Sequence, residues 1–358
     1  MSHLLYEKIL RLFNKSKISI SIIIYHLIDM SNIKISVIIP VYNGEKTIEG
    51  TIKSVLNQTF PNFELIIINS DSIDKTLGVI SQIKDDRIKV FSYPKANPGI
   101  NRNRGIKLAT GDYITFLDAD DLWTNNKLAA QYKALQENPQ AGVAYSWTNC
   151  IDENGKFLRK AAHVNWNGDV YSKLLLDDFI GNGSNVMIRR EILMKAGDFY
   201  EKLTNAHDTD MWLKLSALTN FVCVPKAQVL YRIRLNSWSS NVLALEKSNL
   251  EVIQRAFNCE KAKSLQHLKP IAIANLYKYL CHKVLAAPPG EQQSAVAARF
   301  LFTAIKTDIG LLFKPIIFKA TLKLIAMVFL PSNWTNLILK KLPRLSNTST
   351  FLGYEKTT

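Results

Sequence analysis

Between residues 33 and 150 the chain alternates short apolar runs with stretches in which apolar residues recur at helical spacing. This alternation narrows the fold more than any other feature, because it is the pattern of a mostly parallel sheet covered by helices. Ile35 to Ile39 reads as a buried strand, expected to stop at Pro40. Phe63 to Ile68, Ile88 to Phe91 and Tyr113 to Leu117 read as three further strands. Ile48, Ile52, Val55 and Leu56 form one helical face, and Ile73, Leu77, Ile80 and Ile83 another, with Ser72 as its N-cap. Ile100 to Thr110 reads as a helix closed by a left-handed Gly111.

In open sheets of this kind ligands bind beyond the carboxyl ends of the strands. The segments that follow Ile39, Ile68 and Leu117 are Val41-Tyr42-Asn43, Asn69-Ser70-Asp71 and Asp118-Ala119-Asp120-Asp121. They are expected to converge on one crevice. Three carboxylates at the end of a buried strand repel each other and are costly to desolvate. A hard divalent cation bridging to phosphate oxygens relieves both problems, and it neutralises a departing diphosphate. An isolated Asp-x-Asp is equally an acidic turn capping the next helix.

Composition excludes several classes. Apolar residues make up 47% and charged residues 21% of 358, which rules out a mostly disordered chain. The net charge of +15 favours polyanionic ligands such as nucleotide diphosphates or anionic lipid. No nucleic-acid reading module and no basic–aromatic array is present, so no nucleic-acid partner is expected. Cys150, Cys223, Cys259 and Cys281 show no CxxC and no zinc spacing, and they read as thiols in a reducing compartment.

Ile35 to Asn43, Arg102-Asn103-Arg104-Gly105-Ile106 and Asp118 to Asp121, in that order, resemble the family 2 glycosyltransferases of the GT-A fold. Downstream, Gly181-Asn182-Gly183-Ser184, Ala196-Gly197-Asp198-Phe199, Ala206-His207-Asp208 with Trp212, and Tyr231-Arg232 with Asn236-Ser237-Trp238-Ser239 continue the resemblance. It implies an inverting, metal-dependent transferase moving a sugar from a nucleotide-diphosphate sugar to the hydroxyl of a glycan or lipid-linked acceptor in cell-surface polysaccharide synthesis. It implies that Pro40, Val41, Tyr42 and Asn43 line the nucleotide pocket and that Arg102 approaches the diphosphate. Asp118, Ala119 and Asp120 would face the donor, the two aspartates holding Mn2+ or Mg2+. Asp208 would be the catalytic base, a carboxylate able to take the proton of the attacking hydroxyl. Tyr231, Arg232 and Arg234 would belong to a loop closing over the donor.

The chain departs from the family pattern in three places. Asn69-Ser70-Asp71-Ser72 stands where Asp-Asp-Gly-Ser is usual, so Ser70 or Asp71 would have to accept the hydrogen bond of the base. His207 replaces a common Glu, and Arg234 stands where many members carry a His near the metal. Two rivals stay open: a nucleotidyltransferase, disfavoured because Pro40 to Glu45 is no Gly-rich basic loop, and a catalytically weakened nucleotide-sugar-binding protein.

The expected division is an N-terminal extension over 1–30, a catalytic domain over 31–240 with a nucleotide half (31–122) and an acceptor half (123–240), and a helical region over 241–358. Ile18 to Ile28 is shorter than the roughly 18 residues a span needs, and translation is expected to start at Met30. Leu311 to Leu330 is apolar but carries Lys314, Lys319 and Lys323. Such a helix suits either an anionic membrane surface or packing on the catalytic domain. The expected location is cytoplasmic, peripheral on the inner face of the membrane. Oligomeric state is left open.

Overall fold

The structure, a computed structural model, describes residues 33–234, 241–286 and 294–330, with positions 334, 341 and 342. The expected N-terminal extension and the Asn236 to Ser239 part of the closing loop lie outside the described residues.

Strands β1 (Ile35–Val41) and β2 (Phe63–Asn69) are buried at every position. A strand covered on both faces needs a nearly continuous apolar run, and these segments supply it; their buried polar residues meet each other, the Ser36 hydroxyl donating to Glu64 Oε1 at 2.6 Å. They pair in parallel; β3 (Ile88–Ser92) adds to β2, and β4 (Tyr113–Phe116) to the other side of β1. Successive residues of β1 point to opposite faces. Ile38 joins one core with Phe116 and Trp212, while Val37 and Ile39 join another with Ile52 and Val55 of helix α1 (Ile48–Leu56). Each such isoleucine stabilises the fold by roughly 1.5–3 kcal/mol.

Helices α2 (Thr76–Ser81) and α3 (Pro98–Leu108) follow β2 and β3. The second half contains β5 (Leu122–Trp123), α4 (Lys127–Glu137), β6 (Ala141–Ile151), β7 (Phe157–Lys160), α5 (Tyr171–Leu176) and β8 (Met187–Arg189). It ends with α6 (Arg190–Ala196), α7 (His207–Leu218) and the long β9 (Asn220–Arg232). The sheet order is β3-β2-β1-β4-β8-β6-β9-β5, with β7 paired to β6. The parallel β3-β2-β1-β4 half reverses winding between β1 and β4, which opens a crevice at their carboxyl ends. Antiparallel β8 then continues the sheet.

Three local expectations need correction. β1 runs through Pro40, which pairs with Ile68. Leu117 N–H donates to Ile38 O, whereas Val41 O accepts from Ser70 on the β2 side. Alternation therefore turns the missing N–H of Pro40 toward β4, which has already ended, so no ladder bond is lost. Ser72 is not an N-cap: α2 starts at Thr76, Ile73 is exposed, and the Ser72 hydroxyl accepts from Asn43 N–H at 3.0 Å. Gly111 is not a left-handed cap either. A Cβ there would lie 2.7 Å from Lys34 O and Ser36 N, so close backbone approach is what requires glycine.

The C-terminal region is helical. Val252, Ala256 and Phe257 of α8 (Val242–Phe257) join the sheet core. After a 3-10 segment (Glu260–Leu268) come α9 (Lys269–Ala286) and α10 (Ser294–Thr307), then a second 3-10 segment (Ile309–Phe313) and α11 (Pro315–Phe329). These later helices share their own apolar core around Leu280, Phe300 and Leu324. Among the described residues no helix is long and apolar enough to cross a membrane. None of the four cysteines is in a disulfide among the described residues.

Candidate active site

A cavity of about 1320 Å³ opens at the carboxyl ends of β1 and β4. Pro40, Val41, Tyr42 and Asn43 line it from β1, Arg102 from α3, and Asp118, Ala119 and Asp120 from the loop after β4. Asp208 in the first turn of α7 lines the same cavity, as do Tyr231, Arg232 and Arg234. The aspartates near position 120 and the one at 208 thus share one cleft.

Ser70 and Asp71 do not line it. Ser70 is fully buried, and its hydroxyl accepts from Ala96 N–H at 2.9 Å. It is committed to the chain before α3 and offers nothing to a base. Asp71 is exposed, with φ +61°, outside the cavity wall. Asn43 (φ +51°) and Ala206 (φ +55°) are the other non-glycine residues in the left-handed region among those described. The conformation costs roughly 1–2 kcal/mol per residue. Asn43 is held there by its bonds to Ser72 and, through Oδ1, to Ile73 N–H. Ala206 turns the chain into α7 and so sets the position of His207 and Asp208.

Arg102 is 2% exposed. Its guanidinium lies between Phe116 and Phe199 and donates to Asp118 Oδ1 at 2.5 Å and to His207 Nε2. It therefore pairs with the acidic loop where a direct diphosphate contact was expected. Gly183 makes this possible, since a Cβ at that position would collide with the guanidinium. Ser184 next to it donates to Asp121 Oδ2 at 2.5 Å and accepts from Asp118 N–H at 3.0 Å.

Tyr231 and Arg232 also need reassignment. Both belong to β9, opposite Cys150 and Ile151 of β6, and not to a loop. Arg232 fastens the acidic turn: its N–H donates to Asp121 Oδ1 at 2.9 Å and its Nε to Asp120 O at 2.8 Å. Arg234 lies just past the strand, with Nε 3.2 Å from Asp120 Oδ2 and Nη2 donating to Thr47 Oγ1 at 2.9 Å.

The acidic turn carries surplus negative charge even so. Burial pushes the Asp121 carboxyl well up, with Asp120 and Asp118 adding to the effect. Burial and then Asp118 raise Asp120, although Arg234 opposes them. Across the cleft, burial and the nearby Asp208 push Asp178 up to about 6. Asp178 accepts from Thr209 Oγ1 at 2.6 Å and from the Ile180 and Gly181 N–H groups at 3.1 and 3.0 Å, which braces the start of α7. The sequence reading missed Asp178, together with Tyr279, His282 and Lys283 of α9, which complete the wall. Nothing in their spacing marks them, because Asp178 belongs to none of the motifs and α9 lies far along the chain from Pro40, Asp118 and Asp208.

His207 is buried, and burial followed by the adjacent Arg102 lowers it from 6.5 to about 3. A guanidinium has no acceptor, so His207 is neutral with Nε2 accepting. The unfolded chain binds this proton below 6.5, and the folded chain does not until about 3. The contribution is complete above the unfolded value and fades as pH falls through that window, by up to about 1.4 kcal/mol per pH unit. His207→Gln should accordingly flatten the acid side of the stability curve, read as urea midpoints between about pH 7 and about pH 5. Equal slopes for the two proteins would contradict the neutral assignment.

The model of the family described as "Glycosyltransferase like family 2" matches residues 36–284. An uncharacterized glycosyltransferase of Rickettsia bellii is 36% identical over 204 residues, covering 56% of this chain and 29% of that one. The UDP-Glc:alpha-D-GlcNAc-diphosphoundecaprenol beta-1,3-glucosyltransferase WfgD of Escherichia coli is 32% identical over 236 residues, covering 63% of this chain and 87% of that one. This chain spans 29% and 36% of the lengths of the matched proteins of Rickettsia bellii and Rickettsia conorii, but most of WfgD. Among solved structures, the mannosyltransferase PcManGT of Pyrobaculum calidifontis, in complex with GDP-Man and Mn2+, superposes with a TM-score of 0.55 at 19% identity, covering 90% of this chain and 87% of that one. Staphylococcus aureus TarS 1-349 with UDP-GlcNAc gives 0.51 at 20% identity, covering 77% and 88%. These two likenesses bear on the fold, which is of the GT-A type. With its family model matched over most of its length, the chain belongs to the family 2 glycosyltransferases.

Proposed function

We propose that the protein is an inverting glycosyltransferase that moves a sugar from a nucleotide-diphosphate sugar to a hydroxyl of a lipid-linked saccharide, in cell-surface polysaccharide synthesis. The carrying observation is that the acidic loop after β4 and Asp208 at the start of α7 line one cavity at the sheet's switch point. WfgD, by its name, acts on a diphosphoundecaprenol-linked sugar, which supports the acceptor class. In this reading 31–122 is the donor half, 123–240 the acceptor half, and 241–358 a helical region contributing α9 to the acceptor side.

Asp208 is the base. Its carboxylate takes the proton of the acceptor hydroxyl as that oxygen attacks the anomeric carbon. The bond from that carbon to the diphosphate breaks, and the nucleoside diphosphate leaves from the opposite face, which inverts the centre. Asp208 stands in the first turn of α7, close to the acceptor side of the cavity. His207, neutral and locked against Arg102, fixes where that turn begins. Lys283 and His282 supply basic character to the acceptor side of the wall.

Asp118 and Asp120 would hold Mn2+ or Mg2+. Among the described residues no group of three or more His, Cys, Asp or Glu forms a ready-made cage. Mg2+-type sites, however, are commonly built from one or two carboxylates plus substrate phosphates and water. The upward push on Asp120 in spite of Arg234 indicates charge that a cation would relieve. When bound, the ion acts as a Lewis acid on the departing diphosphate.

The test is a panel of nucleotide-sugars in a thermal-shift assay with manganese present. A donor at 100 times its Kd should stabilise the protein by about 2.7 kcal/mol. That donor should then be transferred to a diphosphoprenyl-linked saccharide with inversion, read by NMR of the product. A panel with no stabilising donor and no transfer would remove the proposal.

A further inference from the structure

Helix α11 is apolar on both sides. Ile317, Ala320 and Leu324 are buried against the C-terminal core, and Phe318, Leu322, Ile325 and Phe329 face outward at one-turn spacing. Leu312 and Phe313 of the preceding 3-10 segment and Phe302 of α10, which packs on α11, are exposed as well. Phe313 is 85% exposed, Phe329 78% and Phe318 67%. Isolated exposed apolar residues are ordinary, but a contiguous face of large ones marks an interaction surface.

Charge identifies what covers it. Between 294 and 330 the chain has five basic residues and one acid, Asp308, and of the five Arg299 is paired with Glu246 at 2.6 Å. Lys306 and Lys314 are exposed beside the apolar row, and Lys319 is half-buried. Lys323 points inward at 3% exposure, where burial lowers its pKa, and it takes no part in the outer face. A two-fold contact between copies would set these lysines against themselves, which like-charge repulsion opposes. An anionic leaflet meets both features at once, since the aromatic and aliphatic row enters the acyl boundary and the lysines meet the headgroups. At 15 residues α11 cannot span a bilayer, so it lies along the surface.

We infer that the outer face of α10, the 3-10 segment Ile309–Phe313 and α11 is a docking surface for anionic lipid. α11 packs on α9, and α9 lines the cavity through Tyr279, His282 and Lys283. Docking therefore holds the acceptor side of the cavity in a fixed relation to the membrane, which suits a lipid-linked acceptor. That last point rests on the proposed function; the docking itself does not.

The full-length chain should sediment with phosphatidylcholine vesicles containing phosphatidylglycerol, and far less with phosphatidylcholine alone. Replacing Lys306 and Lys314 by Gln should weaken binding about fivefold for each lysine. Phe313→Asp with Phe318→Asp should abolish it at any salt concentration. Both positions are exposed, so these variants should keep the wild-type unfolding midpoint. Vesicle binding unchanged in both variants overturns the inference. So does a dimer, seen by light scattering, that Phe313→Asp with Phe318→Asp splits while wild type ignores vesicles; a second copy would then be the occupant. Because sedimentation needs no donor and no turnover, it succeeds or fails independently of the transferase reading.

Discussion

Asp208→Asn is expected to lower kcat by about 10²–10⁴-fold, the usual contribution of a positioned general base. Donor affinity, read by thermal shift, should stay within a factor of a few. The substitution keeps size and shape, and the hydrogen bond that Asp208 Oδ1 accepts from Thr209 N–H at 3.0 Å can be accepted by an amide oxygen. The fold should therefore persist while the proton acceptor is lost. Asp178 is the informative control, because it stands close to Asp208 and its carboxyl is pushed up to about 6. Its oxygens already serve Thr209, Ile180 and Gly181, so Asp178→Asn should cost stability more than turnover. Near-normal turnover in Asp208→Asn with a dead Asp178→Asn would transfer the base to Asp178 and rewrite the acceptor geometry.

What the sequence disclosed follows from how locally each feature is encoded. Ile35 to Ile39 and Phe63 to Ile68 are legible as strands because burial on both faces keeps them almost wholly apolar, with Ser36 and Glu64 tolerated because they bond to each other. The acidic turn after Phe116 is legible because carboxylates at the end of an apolar strand demand a reason. Asp208 needed the order of motifs, as a lone Asp in a first helical turn has an adequate explanation in the helix dipole. The misreadings share one cause: a residue's partner lies far along the chain. Ser70 is spent on Ala96, Arg232 on Asp120 and Asp121, and Gly111 on the backbone of Lys34 and Ser36. The same holds for Pro40, whose tolerance depends on where β4 ends. α9 is the extreme case, for Tyr279 and Lys283 reach a cavity that they share with Pro40, Asp118 and Asp208, all far earlier in the chain. α11 misleads differently: a helix apolar all round satisfies the periodicity of a packed helix and of a surface-seeking one alike.

Asp120→Ala is expected to reduce transfer by about 10³-fold or more, because a Lewis acid at the departing diphosphate supplies several kcal/mol and each 1.36 kcal/mol is tenfold. Among the described residues the Asp120 carboxylate pairs with Arg234, at 3.2 Å, while its backbone carbonyl receives Arg232 at 2.8 Å, and alanine keeps that carbonyl. The turn should stay fastened through Asp121, Ser184 and Arg232, and the unfolding midpoint should move little. Removing a half-buried carboxylate that desolvation and Asp118 already disfavour is no great loss to the fold. The discriminating readout is manganese dependence. Wild type should lose transfer on chelation and regain it on adding the metal, whereas Asp120→Ala should respond to neither. Arg234 sharpens the test, since its guanidinium already sits on Asp120, where it competes with a cation for the same oxygen. Arg234→Ala should therefore lower the manganese concentration needed for half-maximal transfer. If wild type instead transfers at full rate under chelation and Arg234→Ala is the variant that dies, the positive charge at the diphosphate comes from the protein itself, and Asp120 serves only to aim Arg234.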